Sequence, residues 1–307
     1  MGKTTGKTTF ILGAGAGLGL LLCSQLLKDG RTVLAMMSPG EESQYLKKNY
    51  PEAYHAYFQE SMEPKAISEQ IRKIIEEYPE VDELILMDGY RMYGALEEAS
   101  ELEINHSLQY NLIAPLYVCK AFLPHFREKR KGKILSIMSE DALLYKAGHS
   151  LSNVARFGLL GAYRSLQEEM EPFGVRISII CLGELHVRPE PTDTRIASLT
   201  RIYDQGESHS FLMELKSRKK NGPVDPEKAV KRIIKVLEKE DSSSLIVLGS
   251  QAKQSYYDQN EKTNRTLLQE EGLSQDADIT PSRRRKKSKK TSNDNPLFRP
   301  GRRKKGD

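Results

Sequence analysis

The sequence predicts an α/β domain built on a doubly wound parallel sheet of about seven strands, with helices on both faces. Two observations lead there. From Thr9 to Gly249, short apolar runs alternate with stretches of helical periodicity. The runs are apolar throughout, as strands covered on both faces must be. The first of them is followed by "ILGAGAGLGL", a glycine-rich turn that leads into a helix. At 307 residues, 38 % hydrophobic and 29 % charged, the chain can bury one substantial core.

The expected strands are "TFIL" (9–12), "TVLAM" (32–36), a weaker "AYF" (56–58), "ELILM" (83–87), "KILSIM" (133–138), "RISIIC" (176–181) and "LIVL" (245–248). Between them, Ile67, Ile71, Ile74 and Ile75 repeat at helical spacing in 64–77. In 225–240, Asp225 is a cap, Pro226 takes the first turn, and Val230, Ile233, Ile234 and Leu237 form one face. Residues 184–222 break the alternation just after the sixth strand's carboxyl end, the edge where open α/β sheets bind ligands, so they are expected to form a lid. Residues 1–8 read as a flexible basic leader, 9–250 as the domain, 251–280 as a polar extension and 281–307 as a disordered tail.

Cys23, Cys119 and Cys181 lie in apolar runs at no metal or disulfide spacing, so burial and a reducing, cytoplasmic location are expected. The six histidines, His55, His106, His125, His149, His186 and His209, show no ligand spacing, and no metal site is expected. The longest apolar stretch, Leu18 to Leu22, is far short of a membrane span. Charge is uneven. Residues 281–307 hold 12 Lys/Arg against Asp294 and Asp307, a net of +10; the whole chain carries +5, which leaves the first 280 residues at −5. Any attraction to a polyanion, whether nucleic acid, an acidic protein or an anionic surface, belongs to that tail.

In the loop, Gly13, Gly15, Gly17 and Gly19 allow the backbone to turn sharply and approach a ligand closely. The N-terminus of the next helix, with Leu18, offers N–H groups and a positive dipole end to a phosphate, which points to a dinucleotide. The upstream "GKTTGKTT" is no P-loop: Gly2 and Gly6 enclose three residues instead of four, and no strand precedes them.

In this order and at this spacing, the chain resembles the short-chain dehydrogenase/reductase family over residues 8–250, which implies a Rossmann-like fold. "LGAGAGLG" is similar to the family's TGxxxGxG at Gly13, Gly17 and Gly19. "LMDG" keeps Gly89 of NNAG, "NLIAP" supplies the helix asparagine as Asn111, and "GKILSIMS" places Ser139 where the catalytic serine belongs. The family's YxxxK and the phrase after it align with "SLSNVARFGLLGAYRSL", which puts Ser152 at the tyrosine position and Arg156 at the lysine position. None of the fourteen tyrosines has a lysine four residues on.

The resemblance implies NAD(P) as cofactor. Met37 stands where NAD-dependent members carry an acidic residue and Ser38 where an arginine often meets a 2′-phosphate, which favours NADP by a small margin; Glu41 and Glu42 argue the other way. Glu60 fits the acidic position near the adenine, and Arg156 keeps a charge for the ribose. The resemblance also implies a homo-dimer or homo-tetramer. A serine is a far weaker acid than a phenol and a ring shorter, so three readings stay open. One is a nucleotide-binding sensor, scaffold or inactive homologue. Another is an oxidoreductase with a substitute acid–base group, for which Tyr90, Tyr145 and His149 are candidates. The last is a nucleic-acid-associated protein acting through the tail.

Overall fold

The computed structural model describes residues 6–39, 42–59, 61–87, 89–185, 194–196, 201–210, 224–240 and 244–270. Seven strands form one all-parallel sheet: β1 (Thr8–Leu12), β2 (Thr32–Met37), β3 (Tyr54–Phe58), β4 (Val81–Met87), β6 (Gly132–Ser139), β7 (Val175–Leu182) and β9 (Leu245–Leu248). Their spatial order is β3-β2-β1-β4-β6-β7-β9. The chain therefore winds outward one way from β1 and then the other way from β4. The carboxyl ends of these two neighbours mark the switch point where a crevice opens.

Successive residues of a strand point to opposite faces, and the core splits accordingly. Phe10 and Leu12 of β1 pack with one cluster that takes in α3 (Pro64–Glu77), α5 (Ala114–Lys129) and α6 (Ser150–Met170). Ile11, between them, packs with the other, which takes in α1 (Gly17–Lys28) and α7 (Pro226–Glu238). Asp225 caps α7 by accepting from the Lys228 N–H at 2.9 Å. All three cysteines are buried. Burial pushes the Cys23 and Cys119 thiols up to about 12, so neither is a reactive thiolate.

At the amino-terminal edge of the sheet, Glu83 of β4 is buried and paired with buried Arg31, with Lys7 at 3.3 Å and with the Thr9 hydroxyl at 3.0 Å. This fixes the strand ends on the side away from the crevice.

Two features lie outside the sequence expectation. Between β4 and α4 (Glu101–Leu108), Arg91–Tyr93 forms a short strand, β5, that pairs in parallel with Thr194–Ile196, β8. Part of the expected lid is therefore tied to the loop that leaves β4. Beyond the sheet, Ser250–Gln269 forms a 20-residue helix, α8, in the segment read as a polar extension. The chain divides into two compact units, Met1–Glu261 and Lys262–Asp307. Residues 281–307 lie outside the described residues. Among the described residues, no helix is long and apolar enough to cross a membrane.

Tyr163 of α6 is fully buried in the larger cluster, and among the described residues nothing hydrogen-bonds its hydroxyl. Burial and nearby Cys119 raise that phenol well above its usual value. An unsatisfied buried hydroxyl costs about 1–3 kcal/mol. Tyr163→Phe should therefore leave stability in urea unfolding unchanged or raise it by up to about 1 kcal/mol. A loss of that size would show that the hydroxyl has a partner.

Candidate functional site

The site begins where β1 ends. The Gly13 and Ala14 N–H groups both donate to the Met36 carbonyl, at 3.0 and 3.2 Å, and so turn the chain away from the sheet. Gly13 has φ +84°, and a Cβ there would stand 3.1 Å from the Met87 carbonyl oxygen. A Cβ on Gly19 would meet the Gly13 carbonyl oxygen at 2.1 Å, so loop and helix touch backbone to backbone. Gly17 begins α1 at φ +54°; Gly15 and Leu18 are buried beside it.

The helix start bears no side-chain cap, because its N-cap is Ala16, and its first turn has no acidic residue. Its first N–H groups have no partner within the helix. Together with the dipole, they form a cradle whose natural occupant is a phosphate. A dinucleotide pyrophosphate fits these residues.

The rim is less defined. Met37 ends β2 and is buried, with Ser38 following it half-buried. Glu42 pairs with Lys47 at 3.1 Å. Glu60 and Glu41 lie outside the described residues. Gly89 is exposed, and a Cβ there would meet nothing within 4 Å, so packing does not demand glycine at that position.

Across the crevice, Ser139 closes β6 with its hydroxyl buried. Asn111 lies in a π-turn, Gln109–Ile113, between α4 and α5. Its side chain is buried; Nδ2 reaches the Ser107 hydroxyl at 3.5 Å, and its Oδ1 has no hydrogen-bond partner among the described residues.

Ser152 and Arg156 are both buried on the first turns of α6 and face the same carboxylate. The Ser152 hydroxyl donates to Oδ2 of Asp141 and accepts from Nη1 of Arg156 at 2.9 Å. Asp141, itself buried, also bonds Nδ1 of His149 at 3.0 Å. The Asn153 amide clasps the Asp141 and Leu144 carbonyls at 2.8 and 2.6 Å and so holds this loop to the helix. Burial alone would raise the Asp141 carboxyl. The His149 hydrogen bond and charge, the Arg156 charge and the Ser152 hydrogen bond outweigh it and hold the group well below the usual carboxylate range.

This cluster is not a nucleophile triad. Asp141 sits between the serine and the histidine, so His149 does not accept the serine proton. Asp141 is the carboxylate of this cluster that the sequence reading missed. The one signal for it was Arg156, a cation in an apolar helix face, which needed a carboxylate nearby.

The three candidate substitutes separate. Tyr145 is 53 % exposed, and its backbone is clasped by the Gln259 amide of α8 through two 3.0 Å bonds. Tyr90 is buried with Met92 and Leu151 and stacks near His106 and Tyr110. Only His149 joins the cluster, with the Tyr93 ring edge-on to it at 5.0 Å.

Residues 201–210 are anchored by His209. It bonds buried Glu98 at 2.9 Å and Asp204 at 3.2 Å, while the Tyr203 hydroxyl donates to Glu97 at 2.5 Å. Burial lowers the His209 imidazole, but the two carboxylates outweigh it and raise it on balance. Among the described residues, no group of three or more His, Cys, Asp or Glu is placed to hold a metal ion.

A glycine cradle at the switch point of a parallel sheet defines a nucleotide-binding α/β protein. The short chain dehydrogenase profile matches residues 7–193, and the chain belongs to that family. Among curated proteins it is similar to a 3-ketodihydrosphingosine reductase of Bacteroides thetaiotaomicron, 26 % identical over 207 residues, 67 % of this chain and 73 % of the relative. It is also similar to an Escherichia coli 3-oxoacyl-[acyl-carrier-protein] reductase, 24 % identical over 178 residues, 58 % and 73 % of the two chains. Among solved structures, a short-chain dehydrogenase from Streptomyces avermitilis superposes with a TM-score of 0.81 at 23 % identity, covering 89 % of this chain and 99 % of that one. A Thermococcus sibiricus alcohol dehydrogenase complexed with 5-hydroxy-NADP superposes at 0.62 and 17 % identity, over 80 % and 96 %. These likenesses at low identity show the shared fold.

The Asp141 cluster makes stability depend on acid. A carboxyl depressed in the folded state stabilises it fully above the unfolded value, about 4, and that contribution is lost as pH falls below it. Asp141→Asn should cost about 3–5 kcal/mol at pH 7, because it removes the carboxylate from its buried pair with His149. It should also flatten the fall of unfolding free energy below about pH 4. An unchanged acid limb in the variant would remove Asp141 from the account.

Proposed function

We propose that this chain is a nicotinamide-dinucleotide-binding member of its family that has exchanged the proton-transfer pair for a closed, charge-balanced cluster, and that it acts as a sensor, scaffold or partner subunit. The observation that carries the reading is the commitment of the Ser152 hydroxyl, which gives its one proton to Asp141 while accepting from Arg156. A hydroxyl so held, on a side chain a ring shorter than tyrosine, has no proton to exchange with a carbonyl oxygen in the crevice. Arg156 keeps the positive charge of the lysine position, but it donates to the Ser152 hydroxyl at 2.9 Å and its charge helps to hold the Asp141 carboxyl ionised.

The cofactor reading rests on the uncapped start of α1 and the Gly13–Gly19 contact, supported by the relatives' activities and by the neighbour that holds an NADP derivative. NADP is preferred, since β2 ends in Met37 and not in a carboxylate for the ribose hydroxyls, and Glu42 is engaged by Lys47. Val154 and Phe157, 54 % and 43 % exposed on α6, are the apolar surface through which two copies would pair. The +10 tail adds salt-sensitive attraction to polyanions.

A second reading, an oxidoreductase that uses a different acid–base group, is favoured by one observation: His149 is oriented by Asp141 beside the crevice.

Calorimetry separates binding from chemistry. NADPH or NADH should bind the wild-type chain at or below about millimolar concentration, and Gly19→Ala should weaken binding by at least about tenfold. Turnover across carbonyl and alcohol substrates should be absent in the wild type. It should remain absent in Ser152→Tyr/Arg156→Lys while Asp141 stands, and appear only when Asp141 is also made Ala. Failure of both cofactors to bind would end the reading. Wild-type turnover abolished by His149→Gln would replace it with the second.

A further inference from the structure

The groove between α1 and α7, on the face of the sheet that packs α1, is not used by the cofactor reading. It has a volume of about 500 Å³ and is lined by Gln25 and Asp29 at the end of α1 and, along α7, by Lys228, Lys231, Arg232, Ile234, Lys235 and Glu238. That size lies within the range of ligand pockets, yet the groove is a trough between two helices and not an enclosed cavity.

Its charges are arranged in a row. Lys228, Lys231, Arg232 and Lys235 fall at i, i+3, i+4 and i+7, which puts them on one stripe of α7, two turns or about 10 Å long. All four are exposed. Among the described residues, none of the four forms an ion pair or side-chain hydrogen bond, so the whole row is available to a partner's anions. The two carboxylates at the rim form no ion pair with the row among the described residues: Asp29 accepts from the Gln25 amide at 2.9 Å, and Glu238 lies at the far end. The opposite face of α7, Val230, Ile233 and Leu237, is buried, so the helix cannot rotate to hide the stripe. The floor between the charges is apolar, made by Ile234 and the aliphatic stems of the basic side chains.

We propose that this groove docks an acidic amphipathic helix of a partner protein. A row of four unpaired cations asks for several anions spaced along a line, so a ligand with one carboxylate would leave most of the row unmatched. The apolar floor disfavours a nucleic acid, which presents phosphates and no apolar stripe on its backbone. The concave shape disfavours a flat lipid surface. A helix with Leu or Ile at i, i+3/i+4 and i+7 and Glu on the flanks satisfies charge, floor and length together. Since α1 also carries the glycine cradle at its other end, a partner on this groove touches the helix at which the proposed dinucleotide would bind.

The test uses the full chain and a synthetic, fluorescently labelled helix of about 18 residues with a Leu face flanked by Glu. Anisotropy should show saturable binding that weakens several-fold as salt rises from about 50 to 300 mM. Lys231→Glu/Arg232→Glu and, separately, Lys228→Glu/Lys235→Glu should each weaken it by at least about tenfold. Both exchanges lie on exposed positions and leave the basic tail intact, so the loss reports the groove. Dinucleotide binding and thermal midpoint should not change. Equal binding to wild type and both variants would place the contact on the tail and overturn the proposal. So would equal binding of a peptide with Ser in place of Leu, or capture of phosphatidylserine vesicles or single-stranded DNA through the same residues in place of the peptide.

Discussion

A buried carboxylate stays ionised only where hydrogen bonds and positive charge offset its burial, and His149, the Arg156 charge and the Ser152 hydroxyl do so for Asp141. This arrangement organises one whole side of the crevice. Asp141 holds Ser152 through its hydroxyl and His149 through Nδ1, and its backbone carbonyl is clasped by Asn153. The start of α6 and the loop after β6 are thereby locked to each other. The result is a buried polar cluster of one carboxylate, one guanidinium, one imidazole and the Ser152 hydroxyl.

The glycine cradle is built from the end of β1, the start of α1 and the Met36 carbonyl, whereas the Asp141 cluster is built from the loop after β6 and the first turns of α6. Next to the cluster, β5 pairs with β8 and sets Tyr93 edge-on to His149, while His209 bridges Glu98 and Asp204.

The parts of this arrangement legible in the sequence are those with a period. All seven strands of the main sheet appeared as apolar runs, and the isoleucine rows of α3 and the capped face of α7 read directly as helices. The glycine spacing located the cradle because Gly13 and Gly19 meet a hard steric demand. The missed elements lack such signals. Strands β5 and β8 are three residues each, too short for alternation to register. Helix α8 buries Ala252 alone, so no apolar stripe betrays it. Asp141 was invisible for a different reason: a carboxylate in "SEDALL" reads as a solvated loop residue, and only the three-dimensional return of α6 brings Arg156 to it.

The account turns on Asp141 being an ionised, buried partner. Carbon-detected NMR of the side-chain carboxyls reports this residue by residue, with Asp141→Asn to assign the signal. The Asp141 carboxyl should show no shift change as pH falls from about 7 to about 4, where an ordinary aspartate is half titrated. A midpoint at or above about 4 would mean that Arg156 and His149 are not paired with it, and the closed cluster would not exist.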